Sequence, residues 1–67
     1  MITVTVNQES VNLPAACTVA DYLKQKGIVG KRLAVELNHE IVPRSDHPTQ
    51  KLAEGDQLEI IHAIGGG

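Results

Sequence analysis

The chain opens with a strict alternation of apolar and polar residues. Residues 2–6, ITVTV, alternate β-branched apolar side chains with threonine, which is the two-residue period of a strand with one buried face. After Asn7 and Gln8 the alternation returns in residues 9–13, ESVNL. It ends at Pro14, which lacks the N–H that a sheet ladder needs. The pattern predicts a β-hairpin that turns at Asn7 and Gln8.

The period changes in residues 18–27, TVADYLKQKG. Thr18 suits a helix N-cap, Asp21 completes a capping box with it, and Gly27 suits the position just beyond the helix end. We therefore expect one short helix of about nine residues. Three apolar side chains share its inner face: Val19, Tyr22 and Leu23.

Two more strands follow the helix. Residues 32–38, RLAVELN, alternate until a turn at Asn38 and His39, and residues 40–42, EIV, form a short strand that Pro43 cuts off.

A polar stretch, residues 44–56, separates these strands from the last one, and Leu52 is its one expected core anchor. Residues 57–64, QLEIIHAI, alternate as a final strand. The inward set is Leu58, Ile60, His62 and Ile64. The outward set is Gln57, Glu59, Ile61 and Ala63.

The element order is ββαββ followed by a last strand, which predicts an α+β sheet with one helix on one face. We expect the first and last strands at the centre because they are the most apolar. The other face then has no cover, and Ile61 and Ala63 form an exposed apolar spot there, a type of surface that often marks partner contacts. A chain of 67 residues with Tyr22 as its one aromatic residue has a single small aliphatic core.

Composition excludes several functions. A net charge of −2 and the scarcity of aromatic residues argue against binding to nucleic acid. No apolar run is long enough to span a membrane, and no leader pattern opens the chain. The single cysteine, Cys17, allows no internal disulfide, which fits a reducing compartment. We expect a cytoplasmic protein.

Candidate chemistry is sparse. Cys17 stands just before the helix, where a thiolate nucleophile or a sulfur relay is favoured, although a small packed side chain is the simpler interpretation. The three histidines (His39, His47 and His62) fit no zinc spacing and are expected at surfaces or edges, so no metal site is predicted. No catalytic set of carboxylates, serine or cysteine stands out, which indicates that the chain is not an enzyme by itself.

One basic cluster remains. Residues 26–32, KGIVGKR, have the glycines and lysine of a phosphate loop without its spacing, so a helix end followed by a loop explains them better. The cluster itself is either a solvated face or a docking patch for an acidic partner. It consists of Lys24, Lys26, Lys31 and Arg32.

The chain closes on HAIGGG, which holds three of its six glycines. A helix on a sheet with glycines at the end resembles the ubiquitin-like β-grasp proteins. The closer resemblance is to the ThiS family, the sulfur carriers of thiamine biosynthesis. It covers nearly the whole chain and is most specific in residues 34–45, AVELNHEIVPRS, and residues 54–67, EGDQLEIIHAIGGG. One departure is His47-Pro48, where such carriers often have a bulkier apolar residue.

The resemblance implies a β-grasp domain over residues 1–64, with one helix packed on a mixed sheet of four to five strands, and a flexible glycine tail over residues 65–67. It also implies that the terminal carboxylate, here that of Gly67, is adenylated and then converted to a thiocarboxylate. Gly65 and Gly66 would give access to that carboxylate. Three apolar residues are the expected partner contacts: Ile61, Ala63 and Ile64.

The implied partners supply the catalysis. A ThiF-like adenylating enzyme uses Mg-ATP, a persulfide-bearing protein donates the sulfur, and a ThiG-like thiazole synthase receives it. The chain itself would bind no cofactor. The alternatives are the small subunit of molybdopterin synthase, a carrier for tRNA thiolation, a protein modifier joined to lysines, or a β-grasp binding module with an incidental tail. The segment LNHEIVPRS favours the thiamine carrier.

Overall fold

Short strands surround one helix in the computed structural model, which describes residues 1–28 and 33–62. The elements in chain order are strands β1 (Ile2–Val6) and β2 (Glu9–Leu13), helix α1 (Val19–Gln25), strands β3 (Leu33–Leu37) and β4 (Glu40–Val42), a 3-10 helix (Arg44–Asp46) and strand β5 (Gln57–His62).

The strands form one five-stranded sheet in the order β2-β1-β5-β3-β4. β1 and β5 run parallel, while the other neighbouring pairs are antiparallel, so the sheet is mixed. β5 lies at the centre with β1 beside it, which confirms the placement expected from their apolar sequences. The boundary predicted between a domain at residues 1–64 and a tail at 65–67 lies outside the described residues and stays a prediction.

Both hairpins turn through two residues with positive φ. Asn7 and Gln8 have φ of 48° and 72°, and Asn38 and His39 have φ of 52° and 71°. Paired positive φ values are typical of the type I′ turn, whose twist matches that of the flanking strands. The turns predicted at these dipeptides are confirmed.

The predicted caps of helix α1 are confirmed, although the helix has seven residues rather than about nine. The Asp21 N–H donates to the Thr18 hydroxyl and the Thr18 N–H donates to the Asp21 carboxylate, both at 3.1 Å, which completes the capping box. At the other end the Gly27 N–H donates to the Lys24 carbonyl and the Ile28 N–H donates to the Leu23 carbonyl. This pair of bonds is a Schellman motif, with Gly27 at φ 68° in the left-handed position that favours glycine. No helix in the described part of the chain is long and apolar enough to cross a membrane.

The core lies between α1 and one face of the sheet. The helix contributes the predicted apolar face, and Leu52 is buried as the anchor of the loop before β5. The buried apolar residues are Val4, Val6, Leu13, Cys17, Val19, Tyr22, Leu23, Val35, Val42, Leu52, Leu58 and Ile60. They come from α1, all five strands and the loops beside the helix, so one core joins the helix to every strand.

The stretch before β5 is more ordered than its polar sequence indicates. Arg44–Asp46 form a 3-10 turn in a region predicted to be irregular. The loop that follows runs along the start of α1. The Ala20 N–H donates to the His47 carbonyl at 3.0 Å, and the Val19 N–H donates to the Gln50 carbonyl at 2.9 Å. These bonds satisfy helix N–H groups that have no partner within the helix, and a polar segment is therefore fixed by backbone bonds that its side-chain pattern does not reveal.

One of the histidine predictions is wrong. His47 was expected at a surface or edge but is buried, and its Nε2 hydrogen-bonds to the Val42 carbonyl at 3.2 Å. His62, which the alternation assigns to the inward set and the histidine analysis to a surface or edge, is exposed, so the surface prediction is confirmed. It is the last residue of β5 and pairs with Leu33 at the end of the ladder, where Leu33 itself is only partly buried. The core thins at this end, so alternation alone does not bury the side chain.

Candidate functional site

Strand β5 leads into the predicted tail, and its position is fixed from both sides. It pairs with β1 through Thr5–Gln57 and Val6–Leu58 and with β3 from Leu33–His62 to Leu37–Leu58. β1 ends at Val6, whereas β5 continues to His62. The last residues of β5 therefore need another partner on the β1 side.

Asn7 supplies that partner. Its N–H donates to the Leu58 carbonyl at 2.9 Å, and its side-chain Oδ1 accepts from the Ile60 N–H at 2.8 Å. The side-chain amide thus takes the place of a backbone carbonyl just beyond the end of β1. Together with the β3 ladder, it holds β5 in place up to the residues that precede the tail.

A second network fixes the start of β5. The Asn38 N–H donates to the Gln57 carbonyl at 2.7 Å, and the Asn38 Oδ1 accepts from the Gln57 N–H at 3.0 Å. The Asn38 amide also donates to the Asp56 carboxylate at 3.1 Å, which accepts from the Ala53 N–H at 2.7 Å. The β3–β4 turn is therefore joined to the loop that delivers β5.

The outward face of β5 carries the predicted apolar spot in part. Ile61 is 48% exposed and pairs with Ala34 of β3, which is also exposed. Its outward position is confirmed, while its contact with a partner stays a prediction. The other predicted site residues lie outside the described residues: Ala63, Ile64, Gly65, Gly66 and Gly67.

Cys17 is a core residue. Its side chain is buried beside the helix start, and its Sγ donates to the Thr18 carbonyl at 3.4 Å. Burial raises the pKa of the Cys17 thiol, and the nearby Asp21 carboxylate raises it further. A buried, protonated thiol is a poor nucleophile, so the geometry supports the interpretation of Cys17 as a packed side chain over that of a sulfur relay.

The histidines do not come together. His39 is exposed in the β3–β4 turn, His47 is buried behind β4, and His62 is exposed at the end of β5. Within residues 1–28 and 33–62, no group of three or more histidine, cysteine, aspartate or glutamate side chains is placed to hold a metal ion.

The basic cluster is described only in part. Lys24 and Lys26 are exposed at the end of α1, where positive charge is favourable beside the carbonyl end of a helix. Lys31 and Arg32 lie outside the described residues. The two alternatives for this cluster, a solvated face or a docking patch, stay open.

Sequence reasoning missed part of the outward face. Ile41 of β4 is 70% exposed on the same side of the sheet as Ile61. Between them, Glu36 of β3 and Glu59 of β5 lie directly opposite each other. The alternation of each strand indicates which residues point outward, but the pairing register that makes these four neighbours is not visible in any single segment.

A mixed five-stranded sheet in this order, with one helix across one face, defines a ubiquitin-like β-grasp protein whose central strand leads to a glycine-rich segment. The chain belongs to the ThiS family, whose family model matches residues 2–67. A crystal structure of the thiamine biosynthesis protein ThiS from Geobacter metallireducens superposes with a TM-score of 0.84 at 25% identity, covering 98% of this chain and 100% of that one.

Two curated relatives are much longer than this chain. Proteins named thiazole synthase are 42% identical in Paramagnetospirillum magneticum and 37% identical in Magnetococcus marinus, each over 92% of this chain. The chain spans about a fifth of the length of each, 19%. The sulfur carrier protein ThiS of Bacillus subtilis is 34% identical over 75% of this chain and 76% of its own length.

Proposed function

We propose that this protein is the sulfur carrier of thiamine biosynthesis and carries the sulfur as a thiocarboxylate on Gly67. The observation that carries the proposal is the ThiS-family match, which extends through residues 2–67 and so includes both the β-grasp domain and the closing glycines. The name of the Bacillus subtilis relative, a sulfur carrier protein, supports the same role.

The proposed chemistry begins with activation of a carboxylate, which is a poor electrophile because it is anionic and resonance-stabilised. A carboxylate oxygen of Gly67 attacks the α-phosphorus of ATP and releases pyrophosphate, which leaves an acyl adenylate. The terminal sulfur of a donor persulfide then attacks the acyl carbon and displaces AMP. A thiol then attacks the cysteine sulfur of the donor in the resulting acyl disulfide. The S–S bond breaks, the thiol and the donor cysteine form a new disulfide, and the thiocarboxylate is released. This is nucleophilic acyl transfer in which the chain is the substrate.

Glycine suits residues 65–67 in this role. Three extended residues span about 10 Å, and without Cβ atoms they can enter a narrow channel with backbone angles that other residues avoid. Ordering them costs about 1–2 kcal/mol per residue. Contacts at the base of the segment, with Ile61 among them, would offset that cost.

The proposed partners are an adenylating enzyme that binds Mg-ATP, a persulfide-bearing protein and a thiazole synthase. The long relatives named thiazole synthase support the last of these, because each joins a segment similar to this chain to a longer protein of that name. The chain itself is proposed to be no enzyme and to bind no cofactor or metal.

Delivery of sulfur to the thiazole tests which enzyme receives the sulfur from the thiocarboxylate. The thiocarboxylated chain is mixed with thiazole synthase and its other substrates, and the thiazole product is measured. We expect one thiazole per thiocarboxylate, and none with a chain that lacks Gly67. If the same thiocarboxylate instead supplies sulfur to the large subunit of molybdopterin synthase and none to thiazole synthase, the thiamine assignment is wrong.

A further inference from the structure

Two carboxylates lie next to each other on the face of the sheet that points away from α1. Glu36 and Glu59 are direct partners in the antiparallel β3–β5 ladder, and side chains in such pairs share one face with Cβ atoms about 5 Å apart. Both residues are half-buried. Two like charges are therefore held side by side near the middle of the sheet.

Apolar side chains surround this pair. Ile41 pairs with Glu36 on the β4 side, and the next outward pair along the β3–β5 ladder is Ala34 with Ile61. Ile41 and Ile61 are two of the three large apolar side chains that are exposed among the described residues. We call these five residues the acidic–apolar patch: Ala34, Glu36, Ile41, Glu59 and Ile61.

Nothing in residues 1–28 and 33–62 neutralises the two charges. Neither carboxylate accepts a hydrogen bond or joins an ion pair within those ranges. Two outward neighbours of Glu59, Gln57 on the same strand and Thr5 on β1, are uncharged. Like charges directly opposite in a ladder destabilise it. A cation from outside the chain would remove that repulsion.

A depression lies beside Glu59 on the β1 side, and Glu36 does not line it. Its volume is about 230 Å³, and Glu59 is its one charged lining residue; the others are Thr5, Gln8, Gln57 and Leu58. The carboxylate therefore borders both the apolar part of the patch and a polar recess.

We propose that the acidic–apolar patch docks a partner protein that presents an arginine flanked by apolar side chains, with the guanidinium bridging Glu36 and Glu59. Arginine fits better than lysine because its planar fork donates to two carboxylates at once and its faces pack on apolar groups. Ile41 and Ile61 then pack against the apolar flanks. This proposal rests on the proposed function, and the partner that we propose for the patch is the adenylating enzyme.

The location of the patch gives this docking a consequence for the tail. Ile61 lies in the last part of β5, which Asn7 and β3 hold in place. From Ile61 to Gly67 an extended chain spans about 20 Å. A partner that binds the patch therefore determines where the tail enters the partner's catalytic site.

Binding to the adenylating enzyme of the same organism tests the proposal, with paired variants of equal charge. The variant E36Q/E59Q removes the two facing charges. The control E9Q/E40Q also removes two negative charges, but from outside the acidic–apolar patch. Glu9 lies near Tyr22 of the helix, whose pKa it helps to raise, and Glu40 points to the same side of the sheet as Leu37. We expect E36Q/E59Q to weaken binding about tenfold or more and to reduce its salt dependence, and the control to stay within about twofold of the unmodified chain.

Thermal unfolding separates lost docking from a lost fold. E36Q/E59Q relieves a repulsion, so its midpoint should equal or exceed that of the unmodified chain. Equal weakening by the two double variants would mean that only net charge matters and would overturn the proposal. Unchanged binding of E36Q/E59Q would overturn it as well.

Adenylation kinetics distinguish this proposal from the proposed function. E36Q/E59Q should raise the KM for the chain and leave kcat unchanged, because the patch is remote from the reacting carboxylate. If the unmodified chain is never adenylated, the carrier function fails. If the unmodified chain is adenylated and the KM is the same for all variants, the docking proposal alone fails.

Discussion

The imidazole of His47 occupies a core position behind β4 and hydrogen-bonds to the Val42 carbonyl at 3.2 Å. It is the one buried polar or charged residue among those described. The hydrogen bond reduces the cost of burying a polar ring, and the His47 carbonyl also accepts from the Ala20 N–H of α1. The histidine therefore fills the core position at which such carriers often have a bulkier apolar residue.

Truncating His47 tests this role. His47→Ala should lower the free energy of unfolding by about 2–3 kcal/mol, because it removes both packed volume and a buried hydrogen bond. His62→Gln, at an exposed position, should stay within about 0.5 kcal/mol of the unmodified chain. Urea unfolding of the three proteins gives the comparison, and equal stability of both variants would contradict the core role of His47.

Asn7 serves a turn and a ladder at once. Its φ of 48° suits asparagine or glycine, and its Oδ1 accepts the Ile60 N–H. Asn7→Gly keeps the backbone angle but removes the acceptor, and should cost about 1 kcal/mol. Asn7→Asp keeps an acceptor and should cost less. Hydrogen exchange at the Ile60 amide should accelerate in Asn7→Gly and much less in Asn7→Asp; slow exchange in Asn7→Gly would show that this bond does not hold β5.

Burial of Cys17 makes the free energy of unfolding depend on pH in the alkaline range. The native thiol has a raised pKa, so with rising pH the unfolded thiol ionises first, from about pH 8.5. The unfolded state then binds fewer protons than the native state, and the free energy of unfolding falls until pH passes the native pKa. Urea unfolding from about pH 7.5 to 9.5 should show this fall, and Cys17→Ala should reduce it. An identical slope in both proteins would contradict the burial effect.

At the scale of elements, helix α1 shows what can be predicted from residues within a single segment. The capping box, the apolar face and Gly27 lie within ten residues of one another and report contacts made inside that segment, so the sequence predicts α1 closely. The two type I′ turns are equally local. Local signals do not predict the burial of His47, because it depends on contacts with other elements: its carbonyl accepts from the Ala20 N–H of α1, and its ring hydrogen-bonds to the Val42 carbonyl of β4.

Gly27 carries a prediction at this scale. An added Cβ meets nothing within 4 Å, so the cost of Gly27→Ala comes from its φ of 68° alone, about 1 kcal/mol. Gly27→Asn should cost less, because asparagine tolerates the left-handed region. Helix content and urea midpoints check the order, and a stabilising Gly27→Ala would refute the Schellman assignment.

Strand pairing marks the limit of prediction for the candidate site. The alternation of β5 correctly points Leu58 and Ile60 inward and Ile61 outward. It cannot show that Glu59 stands opposite Glu36, since that depends on how β3 and β5 are aligned across a long stretch of sequence. The charged centre of the acidic–apolar patch therefore emerges only from the register of the folded sheet.

At the scale of the whole molecule, a small fixed scaffold precedes a short glycine-rich segment. One aliphatic core and a mixed sheet hold β5 along its length, and the residues proposed to react come after it. This division fits a protein that is recognised through its folded face and modified at its end. The proposed chemistry takes place at Gly67, and the fold would present that residue to the partner enzymes.

The intact mass of the 67-residue chain tests the carrier function most directly. The chain is incubated with the adenylating enzyme, Mg-ATP and a persulfide donor under reducing conditions, beside a chain that lacks Gly67. We expect an adenylate when the sulfur donor is omitted. With the donor present, one oxygen at Gly67 should be exchanged for sulfur, and the shortened chain should show neither change while still folding. A chain that acquires neither AMP nor sulfur with a partner enzyme that activates another ThiS-family carrier would contradict the account.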